Sequence, residues 1–272
     1  MNMTASDKSN AETRYNIRVL DRAIRLLSLL SDGKSRLPVE ISEGIGLSPA
    51  TTHRILATLS YYNFIKRDER TGQYSLGLAC MELARAYQDS NDLRKIALPE
   101  LEGLRDETKE TVHLAILDQM EVIYLEKLSG LHAIGIMTSR VGGRSPAYCT
   151  GLGKILLAHQ NPDSVREYYE KHGLLPYTNT TITDLESMMS ELETVRQQGL
   201  AFDHGEHENE VRCVAAPIFD MDEEAVAALS ISGPYARLDP IEGNQEIIEK
   251  IKRTAMKISQ LLGHSASRLM AP

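Results

Sequence analysis

The chain has 272 residues, 42% of them hydrophobic and 25% charged, and a formal net charge of −8. That length is comfortable for two domains, each able to bury its own core. No apolar run approaches the ~20 residues of a bilayer span, which excludes a membrane-spanning helix.

Charge becomes informative once the chain is divided. Residues 1–75 carry 11 Lys and Arg against 8 Asp and Glu, a net of +3; residues 76–272 carry 19 against 30, a net of −11. A basic N-terminal module on an acidic body fits contact with nucleic acid at one end only. Cys80, Cys149 and Cys213 lie far apart without metal-ligand spacing. A reduced, cytoplasmic protein with no structural metal and no cofactor is therefore expected.

Residues 1–14 are polar with mixed charge, lack the apolar stretch of a signal peptide and read as a disordered lead-in. Over 15–31 the spacing predicts a helix with Ile17, Leu20, Ile24, Leu27 and Leu30 on one stripe, stopped by Asp32-Gly33. A short helix over 38–44 and a tight turn at Gly46-Leu47 lead into a third helix. There Ser48 suits the N-cap and Pro49 the first helical position. Ile55, Leu56 and Leu59 give the core face. Opposite stand Pro49, Ala50, Thr51, His53, Arg54, Ala57 and Thr58, slim or hydrogen-bonding and free of acid, as entry into a major groove requires. Helix, short helix, turn, helix is the spacing of a helix-turn-helix. An ordinary amphipathic surface helix is the alternative, and the neighbouring elements argue against it.

Next come two strand-like runs, 64–67 and 73–76, joined by the charged turn 68–72. A hairpin directly after a recognition helix is the wing of a winged helix, with Lys66, Arg67 and Arg70 placed to reach sugar-phosphate. Helices are expected over 78–90 (a linker or dimerisation helix) and 96–108. Strands follow at 112–117, 122–126 and 133–138, then helices at 151–159, 163–172 and 184–198. Strands at 214–219 and 225–231 precede a last helix over 240–262. Strands, helices, strands, helix is an α+β order.

Within this organisation, two long strings carry a resemblance. RVGGRSPAYCTGLGK at 140–154 is the first. The second is GLAFD at 199–203 with Glu206, VRCVAAPI at 211–218 and LSISGP at 229–234. Together with the winged helix they resemble the IclR family of bacterial transcriptional regulators over nearly the whole chain. Segments 111–114, 139–140 and 146–148 look closest to the regulators of sugar-acid catabolism, the 2-keto-3-deoxygluconate type.

The resemblance implies an α+β protein: a winged helix-turn-helix over 15–77, a linker helix over 78–94 and a GAF/PAS-like effector-binding domain over 95–265. It implies a ligand-responsive repressor of a catabolic operon, bound to double-stranded operator DNA as a homodimer or homotetramer. Its effector would be a small organic acid, a keto acid or a sugar acid. Matching effector positions are Gly151, Leu152, Asp203, Cys213, Ser230 and Ser232, with Ile134, Met137, Ser145 and Val211 along the wall. Ser145 stands where the family wall is often apolar, and Tyr148 adds a hydroxyl nearby; a more polar pocket would favour a hydroxylated ligand.

The same residues can be read without the family. TGLGK at 150–154 puts backbone N–H groups at a helix N-terminus, where a carboxylate is well accommodated; close helix-on-strand packing is the other use of such glycines. It lacks the Gly-x-x-x-x-Gly-Lys-Ser/Thr spacing of a phosphate-binding loop. Ser230 and Ser232 alternate with Leu229 and Ile231, so in a strand both hydroxyls face one side. Asp203 would accept from a ligand hydroxyl or brace the sheet. Cys213 near His204 and His207 opens an enzymatic reading, a small-molecule enzyme with an accessory winged helix, but no spacing enforces a nucleophile–base geometry. His204, Glu206, His207 and Glu208 could ligate a metal, though such a loop is usually just solvated. No catalytic and no metal site is expected.

Overall fold

In the computed structural model, which describes residues 17–90, 92–131 and 137–265, the chain divides into two units, one ending at residue 90 and the other beginning at residue 91. The expected lead-in at 1–14 lies outside the described residues.

The first unit begins with α1 (Arg18–Leu30), α2 (Pro38–Ile45) and α3 (Pro49–Tyr61). Leu26 and Leu30 from α1, Ile41 and Ile45 from α2, and Ile55 and Leu56 from α3 close one small core with Ile65 and Tyr74. The expected stripe on α1 is only partly the buried one. Leu30 is in the core, whereas Ile17, Leu20 and Ile24 are 55–62% exposed. The helix carries two apolar faces, and among the described residues of this unit only the one through Leu26 and Leu30 finds a partner. After α3 come β1 (Ile65–Arg67) and β2 (Tyr74–Leu76), an antiparallel pair that registers Lys66 with Ser75. Their connecting turn is held by Asp68, whose Oδ1 accepts from the Arg70 and Thr71 amides at 2.8 and 3.1 Å. Arg36 bridges to Tyr74, which ties the segment before α2 to the hairpin. Helix α4 (Leu78–Ser90) ends the unit, its first turn fastened by the Ala79 amide donating to the Asn63 carbonyl at 3.1 Å.

The second unit is built on a six-stranded antiparallel sheet in the order β5-β4-β3-β8-β7-β6. Its strands are β3 (Thr111–Asp118), β4 (Glu121–Leu128), β5 (Arg144–Pro146), β6 (Ala201–Asp203), β7 (Val211–Phe219) and β8 (Ala225–Pro234). Successive side chains point to opposite faces. Val112, Leu114, Val214, Ala216, Leu229 and Ile231 therefore share one face, packed under α5 (Asp92–Thr108) and α10 (Gln245–Leu261). The other face carries α6 (Gly151–Ala158), α7 (Pro162–His172) and α8 (Leu185–Gln198) over Ala115, Ala201, Ala215 and Ala228. A short helix, α9 (Tyr235–Leu238), follows β8. Small residues on that second face let α6 approach the sheet closely. Among the described residues no helix is long and apolar enough to cross a membrane.

Several expectations differ in detail. The last helix starts at Gln245 rather than near 240, because Ile241–Gly243 forms a 3-10 turn and the Asn244 side chain then caps by accepting from the Ile247 amide. Strands β5 and β6 were not anticipated; at three residues each they are too short to show alternation. Of the strand expected at 133–138, residues 133–136 lie outside the described residues, and Met137 and Thr138 have no regular structure.

Candidate functional site

Two surfaces stand out, one in each unit. On the first, Ser48 caps α3 with its Oγ 3.3 Å from the Thr51 amide, and the same Oγ lies 3.0 Å from Thr51 Oγ1. With Ile55 and Leu56 in the core, Ser48, Pro49, Ala50, His53, Arg54 and Thr58 are left exposed and Thr51 half-buried. Thr58 Oγ1 donates back to the Arg54 carbonyl at 3.0 Å. Lys66, Arg67 and Arg70 on the hairpin are exposed. All ten residues that the sequence nominated for DNA thus belong to α3, its cap or the wing. A capped helix with a slim outer face beside a basic hairpin can enter a groove and grip the flanking phosphates.

The second surface is a cleft between the sheet and the first turn of α6, about 420 Å³ counting its mouth. Strand register builds its floor. His113 pairs with Ser230 across β3 and β8, and Cys213 pairs with Ser232 across β7 and β8, so all four side chains stand on the α6 face. The imidazole joins them: Nδ1 lies 3.3 Å from Ser230 Oγ, and Nε2 lies 2.9 Å from Ser139 Oγ. At the roof, Thr150 Oγ1 accepts from the Gly153 amide at 3.2 Å. The amides of Gly151 and Leu152, in the first turn of α6, have no acceptor among the described residues, and both residues line the cleft. Closeness here is enforced by glycine. A Cβ at Gly153 would sit 2.1 Å from the Ala147 carbonyl oxygen, and one at Gly151 would sit 3.1 Å from Cys213 Sγ.

Many of the lining side chains are polar, and none is Lys or Arg. Burial, with Lys127 adding, pushes His113 down to about 3, so the ring is neutral. Burial also lowers His207 and lifts the Cys213 thiol to about 12, which leaves no thiolate for nucleophilic chemistry at neutral pH. Asp203 is raised to about 7 by burial, even though its Oδ1 accepts from the Gly205 and Glu206 amides at 3.0 and 2.7 Å. Positive potential comes from the α6 N-terminus. Lys154, only 1% exposed, is clamped by Glu206 at 2.7 Å and Glu191 at 2.9 Å. Burial alone would depress its ammonium, but the two carboxylates hold it above the ordinary lysine value. This triad fixes the loop after β6 to α6.

Of the nominated effector residues, the structure brings Gly151, Leu152, Asp203, Cys213, Ser230, Ser232 and Met137 into one lining, and Val211 with them. Ile134 lies outside the described residues. Ser145 and Tyr148 are placed elsewhere. Ser145 stands behind Tyr124, whose hydroxyl donates to it at 3.3 Å. Tyr148 sends its hydroxyl to the Leu175 carbonyl at 2.7 Å and packs edge-on against Tyr169. The turn between β5 and α6 points it away from the cleft. Polarity comes instead from His113, Tyr124, Ser139, Thr150, His207 and Glu208, which the sequence reading did not nominate. Alternation along β3 could have found His113, since Val112 and Leu114 are plainly core; a loop residue such as Glu208 gives no periodic signal. The acidic and histidine-rich loop is spread out: His204 pairs with Glu242 at 2.7 Å and Glu206 with Lys154, while His207 and Glu208 face the cleft.

A winged helix-turn-helix followed by an α+β domain with a cleft is the architecture of a DNA-binding regulator. Residues 19–69 match the IclR helix-turn-helix domain, and residues 85–260 match the bacterial transcriptional regulator IclR C-terminal domain. The chain belongs to the IclR family of transcriptional regulators. It is 34% identical to the HTH-type transcriptional regulator XynR of Escherichia coli (strain K12), over 92% of this chain and 99% of that one. It is 32% identical to the transcriptional repressor IclR of the same strain, over 85% of each chain. The crystal structure of an IclR homologue from Microbacterium hydrocarbonoxydans, complexed with 4-hydroxybenzoate, superposes with a TM-score of 0.77 at 27% identity, covering 90% of this chain and 98% of that one.

Proposed function

We propose that this regulator is a repressor of a catabolic operon, released from its operator by a small organic acid of the keto- or sugar-acid type. The observation that carries the effector reading is the cleft itself: two open helix-terminal amides face buried hydroxyls and a carboxyl group whose ionisation burial suppresses. A carboxylate takes the amides, and the remaining polar lining is left for a second ligand group. The name of the relative IclR supports repression, and 4-hydroxybenzoate in the homologue supports an organic acid.

In this reading α3 reads base edges through its N-terminal half, with Arg54 and His53 foremost, while Lys66, Arg67 and Arg70 hold phosphates. The exposed apolar residues Ile17 before α1, Leu20 and Ile24 of α1, with Leu78, Met81, Leu83 and Tyr87 of α4, suit burial against a second copy, giving a homodimer or a pair of dimers. No catalysis is assigned: the one thiol in the cleft is protonated and hydrogen-bonded among serines.

Fluorescence anisotropy on the DNA upstream of the encoding gene tests this. The expected result is selective, salt-sensitive binding, weakened by one member of a panel of 2-keto and sugar acids. Selective binding unmoved by any acid would remove the effector reading; no selectivity over scrambled DNA would remove the operator.

A further inference from the structure

Glu208 is the feature of the cleft that a plain keto acid does not explain. It follows the Asp203-to-Glu206 loop, which Lys154 pins to α6. Its Oε1 already serves two donors, the amide of Thr138 at 3.0 Å and the Thr138 hydroxyl. Its other oxygen, Oε2, is buried, lies on a residue lining the cleft, and has no hydrogen-bond partner among the described residues. A nearby cation could have satisfied it, but Lys127 donates its ammonium to the carbonyls of Met137 at 3.3 Å and Ser139 at 2.6 Å. His207 is no partner of Oε2 either, its Nδ1 standing 3.9 Å from the other oxygen, Oε1.

A buried carboxylate oxygen without a donor is costly, and a site that leaves one open selects ligands that bring the donor. An oxo group, a fluorine or a second carboxylate cannot donate; a hydroxyl can. The lining therefore offers two chemically distinct groups, amides at the α6 N-terminus that can donate to an anion and an acceptor-only oxygen that lacks a donor. We propose that Glu208 makes the pocket specific for hydroxylated acids, its Oε2 accepting a hydrogen bond from a ligand hydroxyl while the ligand carboxylate sits at Gly151 and Leu152. This rests on the reading of the cleft as the effector site, and it replaces Ser145 and Tyr148 as the source of that specificity.

The test is calorimetric titration of the full-length protein with hydroxy acids (ω-hydroxyalkanoates, aldonates and 4-hydroxybenzoate). Each is paired with an analogue in which one hydroxyl becomes fluorine, close in size but unable to donate. Wild type binds the hydroxyl member of its tightest pair about tenfold or more better than the fluoro member, as a hydrogen bond to a charged group implies. In Glu208→Gln the amide oxygen keeps the Thr138 bonds and an NH2 faces the cleft, so the preference collapses to within about threefold. An unchanged melting temperature confirms that this variant is folded. A wild-type protein that binds both members equally overturns the proposal, whatever the variant does. So does a preference that survives in Glu208→Gln. If no acid of any kind binds, the effector reading fails first and the proposal goes with it.

Discussion

Asp203 and His113 face the same cleft and carry opposite pH signatures. Asp203 is raised from an ordinary value of 3.8 to about 7, so between those values the native state holds a proton that the unfolded chain has lost. Its contribution to stability therefore falls as pH rises from about 4 to about 7. His113 is lowered from 6.5 to about 3, so in that window the unfolded chain holds the proton, and stability rises with pH. The two effects oppose each other between about pH 4 and 6.5, and a single melting curve would hide both. Asp203→Asn isolates one. Its stability relative to wild type is predicted to climb, by on the order of 2–4 kcal/mol, from pH 4 to pH 7.5 and then level off. A difference that stays flat with pH in thermal melts would contradict the buried, proton-holding carboxyl.

At the scale of the element, α6 and α3 are both defined by what their first turns leave open. Gly153 meets the backbone of Ala147, which cannot yield, whereas a Cβ at Gly151 would meet Cys213 Sγ and, at 3.4 Å, Ala215 Cβ. Gly153→Ala is predicted to cost about 3 kcal/mol or more in urea denaturation. Gly151→Ala should melt within a few degrees of wild type yet bind the effector acid at least tenfold more weakly; normal binding would move the carboxylate away from α6. On α3, Arg54→Ala should cost about 1–3 kcal/mol on the operator and blunt its selectivity, as loss of a base contact does. Lys66→Ala should weaken all sequences alike and lower the salt slope by about 0.9. Equal loss on operator and scrambled DNA in Arg54→Ala would reassign that side chain to phosphate.

These elements also show what a sequence discloses. The cap at Ser48, the core positions Ile55 and Leu56 and the alternation of Ser230 with Ile231 are local consequences of period and were legible. Tyr148 was misjudged because nearness in sequence to Gly151 says nothing about the turn that carries its ring toward Tyr169 and Leu175. His113 and Glu208 enter the cleft through pairings across 117 and 70 residues, with Ser230 and Thr138. Distances of that kind are set by sheet order and loop path, which no window of sequence contains. On α1 the expected stripe through Ile17, Leu20 and Ile24 stands exposed while Leu26 and Leu30 are buried, because a period alone does not say which of two apolar faces the core takes.

For the molecule as a whole, the charge divides with the fold: a basic unit that carries the winged helix and an acidic unit that carries the cleft, each with its own core. A regulator needs more than both parts present. The effector must bind the DNA-free and DNA-bound states with different affinity, or it shifts nothing. Coupling between two binding events is reciprocal, so whatever factor the acid takes from operator affinity, the operator must take from acid affinity. The most direct test is to titrate the effector acid into the protein alone and into the protein saturated with operator DNA. An acid dissociation constant at least fivefold higher in the presence of operator is expected, matched by the same factor in operator affinity with and without acid. Equal acid affinity in the two titrations would contradict it, leaving a DNA-binding protein whose cleft has no say in its release.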